Sequence, residues 1–158
     1  MLSLEKLDLS EIAEALQHNS DYESLFLINS ETGKIEFWTS DCGIDGQNPV
    51  ELDDLPEELI TIDPLPSYVW YSDMQDFIDE LSDEQAARRL ARAIHGSGAF
   101  RRFRAELEEE YPHLKQAWYD FRDVRALRRA AEWLAENKLI DHDARDRYLA
   151  THPDTPIP

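Results

Sequence analysis

Ser24-Leu25-Phe26-Leu27-Ile28-Asn29-Ser30-Glu31-Thr32-Gly33-Lys34-Ile35-Glu36-Phe37-Trp38-Thr39 is the stretch whose reading decides the fold. Its first six residues are an apolar run, Glu31 to Lys34 offer a turn in which Gly33 can take positive φ, and Ile35, Phe37 and Thr39 then share one face. That pattern predicts a β-hairpin. Upstream, Leu7, Ile12, Ala15 and Leu16 recur near helical spacing behind Asp8 or Ser10, either of which can cap, so a short helix is predicted to about His18. Downstream, residues 40–58 mix Gly43, Gly46, Pro49 and Pro56 with acids and read as a loop. Leu59-Ile60-Thr61-Ile62 reads as a third strand, ended by Pro64 and Pro66.

Beyond Pro66 the period changes to helical. Tyr71, Met74, Phe77, Ile78 and Leu81 form one stripe, with Ser72 and Gln75 as a capping box. Ser82 and Gln85 suggest a second box, opening a helix with Ala87, Leu90, Ala91 and Ile94 inward. Gly96 suits a left-handed helix end and Ser97 can cap the next helix, whose buried positions would be Phe100, Phe103 and Leu107. Pro112 breaks that run. Leu114, Ala117, Trp118 and Phe121 begin a further stripe, continued on a shifted face by Leu127, Ala130, Ala131, Trp133 and Leu134. The spacing leaves open whether residues 113–137 make one bent helix or two. A last short helix carries Tyr148 and Leu149. The expectation is an α+β fold: a small three-stranded antiparallel sheet in the N-terminal half, packed with a layer of four to five helices in the C-terminal half. Length favours a single domain over residues 1–150, with residues 151–158 as a flexible tail.

Charge divides the chain. It has 34 acidic and 16 basic side chains in 158 residues, yet residues 1–84 hold 22 acids against 2 bases and residues 85–158 hold 12 against 14. An acidic half of that strength repels phosphate backbones, which disfavours duplex nucleic acid as a partner. The same excess suits solubility or high salt equally well. The longest apolar run, Leu25 to Ile28, is far short of a membrane span, and the first ten residues lack the pattern of an export signal. Cys42 has no second cysteine to pair with. These features together point to a soluble, cytoplasmic chain.

The segments Gly96-Ser97-Gly98-Ala99-Phe100-Arg101-Arg102-Phe103-Arg104, Trp118-Tyr119-Asp120-Phe121-Arg122-Asp123 and Glu132-Trp133-Leu134, in that order and spacing, resemble the bacterial uncharacterised protein family 0158. Met74-Gln75-Asp76-Phe77-Ile78 belongs to the same resemblance, which covers roughly residues 59–140 and fits the hairpin more loosely. Membership implies a bacterial, cytosolic α+β protein and carries no catalytic residues with it.

The strongest local feature is Gly96-Ser97-Gly98 leading into Arg101, Arg102 and Arg104, because a helix start offers free amides and a positive dipole beside three guanidiniums. Arg122 and Arg125 repeat the three-residue spacing of Arg101 and Arg104, next to Trp118 and Phe121. Ser97, Arg101, Arg102, Arg104, Trp118 and Arg122 are therefore the candidate binding residues, for an anionic group on a ligand or partner. The competing reading is that these arginines pair with the acids of the N-terminal half. Arg102 with Glu106, and Arg104 with Glu108, stand at ion-pair spacing along one helix.

Other motifs are weak. Gly96-x-Gly98 lacks a third glycine and follows no predicted strand, so it is weak as a nucleotide loop. Asp41 to Gly46 resembles part of a calcium loop, but Gly43 replaces one ligand and Leu52 stands where the bidentate glutamate belongs. His142, Asp143, His152 and Asp154 follow no metal-ligand spacing and read as surface residues. No Gly-x-Ser-x-Gly elbow or His-Glu-x-x-His pair is present, so the balance leans away from an enzyme, and no cofactor is called for. Three classes remain: a non-catalytic binding module with an arginine and aromatic anion-recognition surface, which is the first reading; an acidic inhibitor that mimics nucleic acid and covers a basic partner with its N-terminal half; and an enzyme with scattered site residues.

Overall fold

The computed structural model describes residues 1–18, 23–44, 46 and 49–158. Among the described residues, three strands and six α-helices make it an α+β protein, with the antiparallel sheet in the N-terminal half and five of the helices after it. The chain divides into two compact units, one of residues 1–65 and 126–152, the other of residues 66–125 and 153–158.

In the first unit, α1 (Leu9–Gln17) starts where Asp8 accepts a hydrogen bond from the Glu11 N–H at 3.2 Å. Its inner face buries Ile12, Ala13, Ala15 and Leu16. β1 (Ser24–Asn29) is the central strand, antiparallel to β2 (Ile35–Thr39) on one side and β3 (Leu59–Ile62) on the other. Phe26 sits opposite both Phe37 and Ile62. Asn29 shapes the β1–β2 turn, its side-chain oxygen accepting from the Glu31 and Thr32 amides at 2.8 and 3.1 Å. Gly33 has φ +79°, a left-handed backbone that glycine adopts without strain and that a substituted side chain would not.

Trp38 of β2 is only 3% exposed. Its Nε1 donates to the Val50 carbonyl at 2.6 Å, tying the loop after β2 to the strand. The region read as one helix or two is one, α5 (Lys115–Glu136). Ala126, Ala130, Ala131, Leu134 and Ala135 of that helix are buried in the first unit. In contrast, α6 (His142–Thr151) has no fully buried residue. It is held by Arg128, which donates to the Leu149 and His152 carbonyls at 2.8 and 2.7 Å.

The second unit begins with α2 (Ser67–Glu80), directly behind Pro66. The expected capping box at Ser72 and Gln75 is therefore corrected: Ser72 lies inside the helix and donates to the Val69 carbonyl. The second expected box shifts by one residue, because Asp83 caps α3 (Glu84–Ala93) by accepting from the Ala86 amide at 3.1 Å. α4 (Ala99–Glu110) follows, ended by Tyr111 and Pro112. Met74, Phe77, Leu90, Phe103, Leu107 and Phe121 are among the side chains that fill this unit's core. Each such side chain contributes roughly 1.5–3 kcal/mol by leaving water. Ile157 packs against the same core, and the Ser82 amide donates to the Pro158 carbonyl at 3.0 Å.

Candidate functional site: the arginine hairpin of α3 and α4

The five residues between α3 and α4 turn through two glycines in the left-handed region, Gly96 at φ +77° and Gly98 at φ +78°. Gly98 is the N-cap of α4, which corrects the expectation that Ser97 caps it. Ser97 is exposed and contributes its carbonyl instead.

Arg102 organises the turn. Its Nε donates to the Ala93 carbonyl at 2.8 Å, and its terminal nitrogens donate to the carbonyls of Ser97, His95 and Gly96. A planar fork of donors suits several carbonyls at a helix end, where backbone acceptors lack helical partners. Arg102 thus does not form the ion pair with Glu106 that spacing suggests. Glu106 accepts from Arg89 of α3 at 2.7 Å, with Glu110 at 3.6 Å from the same guanidinium. Likewise Glu108 faces Lys115 at 3.8 Å rather than Arg104. Arg89, Arg92, Ala93, Arg102, Ala105 and Glu106 line an open groove of about 410 Å³ between the two helices.

Arg101 and Arg104 are exposed on α4, and Arg88 and Arg92 are exposed on α3. Among the described residues, no carboxylate pairs with any of these four. Arg88 and Arg92 are missing from the sequence-based site, although their four-residue spacing on an amphipathic helix is a readable signal.

The remaining two candidates lie on α5. Trp118 is 7% exposed, with its ring 4.8 Å from Phe103 and 5.3 Å from Phe77 between centroids, so it belongs to the core. Arg122 pairs with its neighbour Asp123 at 3.2 Å and stacks 4.7 Å from the Tyr119 ring centre. The exposed aromatic beside the arginines is Phe100, 47% exposed and one turn before Arg104. This corrects its expected burial: Ala99, Phe103 and Leu107 already complete the inner stripe at four-residue spacing, which leaves Phe100 on its edge.

Arg125 completes a different constellation. It contacts Asp73 at 3.1 Å, Asp76 at 2.8 Å and Asp154 at 2.8 Å, and stacks 4.7 Å from the Phe121 ring centre. The Asp154 hydrogen bonds, together with Asp76 and Asp73, outweigh burial and raise its pKa above the ordinary arginine value. Elsewhere, His152 stacks on Tyr148 with ring centres 4.0 Å apart. Asp45 of the calcium-like stretch lies outside the described residues. Among the described residues, no three His, Cys, Asp or Glu side chains gather to hold a metal ion.

Fold and site together define a small α+β protein with an arginine-rich helical hairpin and, among its described residues, no helix long and apolar enough to cross a membrane. The model of an uncharacterised protein family, UPF0158, matches residues 5–153, and the chain belongs to that family. The match extends beyond the 59–140 stretch of the sequence resemblance to take in α1 and the hairpin. A UPF0158 protein of Pseudomonas aeruginosa is 36% identical over 88 residues, which span 56% of this chain and 57% of that relative. No solved structure matches the chain.

Proposed function

We propose that this protein is a non-catalytic interaction module whose α3–α4 arginines engage an anionic group on a protein or ligand. One observation carries the reading. In a chain with 34 acids and 16 bases, Arg88, Arg92, Arg101 and Arg104 stay exposed with no carboxylate partner among the described residues. Arg101 and Arg104 supply the charge and Phe100 an apolar contact, a combination common where binding energy concentrates. Arg102 and Ser97 shape the turn that presents them, and Trp118 supports α5 from the core, with Arg122 at its surface. The R101E/R104E double variant should lose capture of an anionic partner from lysate while its melting temperature holds. A variant that melts several degrees lower yet captures the same partner would make these arginines structural.

A second reading has its own support. Glu51, Asp53, Asp54, Glu57 and Asp63 are exposed, and no basic side chain among the described residues pairs with them. An acidic surface of this kind suits a basic, nucleic-acid-binding protein as its target. Capture at about 50 and 500 mM salt separates the readings, because screening changes strongly across that range. A basic partner released by salt and indifferent to R101E/R104E would favour the acidic surface.

A further inference from the structure

In the first unit, the segment Leu2 to Leu9 and one side of α6 line an open surface pocket of about 480 Å³, within the volume range of small-molecule sites. Its apolar wall is Leu2, Leu4 and Leu9. Its polar lining carries charges of both signs, Glu5 of the same segment and Asp141 and Arg147 of the α6 side, beside Tyr148 and His152.

The polar groups are available. Asp141 is the N-cap of α6, the position where aspartate usually accepts from its own helix amides, yet its side chain makes no capping bond. Arg147 is exposed, and among the described residues its guanidinium has no partner. His152 holds Tyr148 by stacking and uses Nδ1 on the Tyr148 carbonyl and the Thr151 hydroxyl, leaving Nε2 as its open ring nitrogen.

The walls are also fixed. The Leu2 amide donates to the Leu139 carbonyl at 2.8 Å, and Arg128 holds the far end of α6. Asp141, at the N-cap of α6, and Arg147, on its second turn, both line this pocket.

From this arrangement we infer a binding site for a small zwitterion with an apolar body, a free apolar amino acid or a dipeptide. Its ammonium meets Asp141 and Glu5, its carboxylate meets Arg147, and its side chain lies against Leu2, Leu4 and Leu9. Opposite charges in one pocket favour a ligand carrying both, since a simple anion would meet the two carboxylates and a simple cation the arginine.

The test is calorimetric titration of the full chain with leucine, phenylalanine and leucyl-leucine. At least one should bind, and binding should weaken about tenfold in D141N and in R147Q, the loss of one charge-assisted contact. Ligand changes on the unmodified protein give the same information without risk to folding. N-acetyl-leucine lacks the ammonium and leucinamide lacks the carboxylate, so each should bind less well than leucine. The acetyl penalty should vanish in D141N and the amide penalty in R147Q. Absence of binding by all three zwitterions up to millimolar concentration would overturn the assignment, as would binding that both substitutions leave unchanged.

Discussion

Arg125 reaches the carboxylate of Asp73 at 3.1 Å, and Asp73 is only 1% exposed. A carboxylate that deep is stable when charge and hydrogen bonds answer it, and costly when one partner is removed. R125M should therefore destabilise the protein by about 3 kcal/mol in urea unfolding. R125K should recover only part of this, since an ammonium cannot reproduce the fork that serves Asp73, Asp76 and Asp154 at once. A loss below about 0.5 kcal/mol, typical of a surface change, would mean that Asp73 does not depend on the arginine.

Residues 153–158 bring Asp154 to that arginine, Ile157 to the core and the Pro158 carbonyl to the Ser82 amide. Asp154 is 39% exposed, so its pair with Arg125 is discounted for solvent and D154A should cost about 1 kcal/mol. Truncation after His152 removes all three contacts and should cost about 2–3 kcal/mol, read as a lower melting temperature. An unchanged melting temperature would identify the segment as a frayed tail.

R102A opens the carbonyls of Ala93, His95, Gly96 and Ser97 at one stroke. Those groups can turn to water, so the expected cost is about 1–2 kcal/mol, with faster amide exchange confined to residues 93–99. R101A, whose side chain has no partner among the described residues, should change stability by less than about 0.5 kcal/mol. Equal losses in the two variants would contradict the division between a turn-building and a surface arginine.

Local rules were enough for much of the fold. Alternation around Gly33, the cap at Asp8 and the stop at Pro112 each act within a few residues, so the hairpin, α1 and the end of α4 were legible. The start of α2 is not legible in the same way: Ser72 and Gln75 have the spacing of a capping box, whereas Pro66 leads straight into a helix that has no side-chain cap. The arginine hairpin was legible as a charged segment, but its internal division of labour was not. Glu106 lies one turn from Arg102 in sequence, yet Arg89 reaches it from another helix, while Arg102 directs its donors to the four carbonyls of the turn. Arg125 gives no local sign at all, with its acids 29, 49 and 52 residues away.

Tyr148 gives the pH prediction. Burial raises its phenol above the ordinary value of 10.0, against the opposing charge of Arg128. The folded protein therefore holds that proton more tightly than the unfolded chain. Its contribution to stability is complete below the unfolded value and is lost as pH rises through the folded one. Other tyrosines and lysines titrate in the same region, so the informative quantity is the difference between the wild-type protein and Y148F. Urea midpoints measured from about pH 8 to 11 should run parallel below about 10 and then diverge, the wild-type protein falling more steeply. Parallel curves throughout would mean that the ring beside His152 is open enough to ionise as freely folded as unfolded, and the pocket wall it forms would be correspondingly loose.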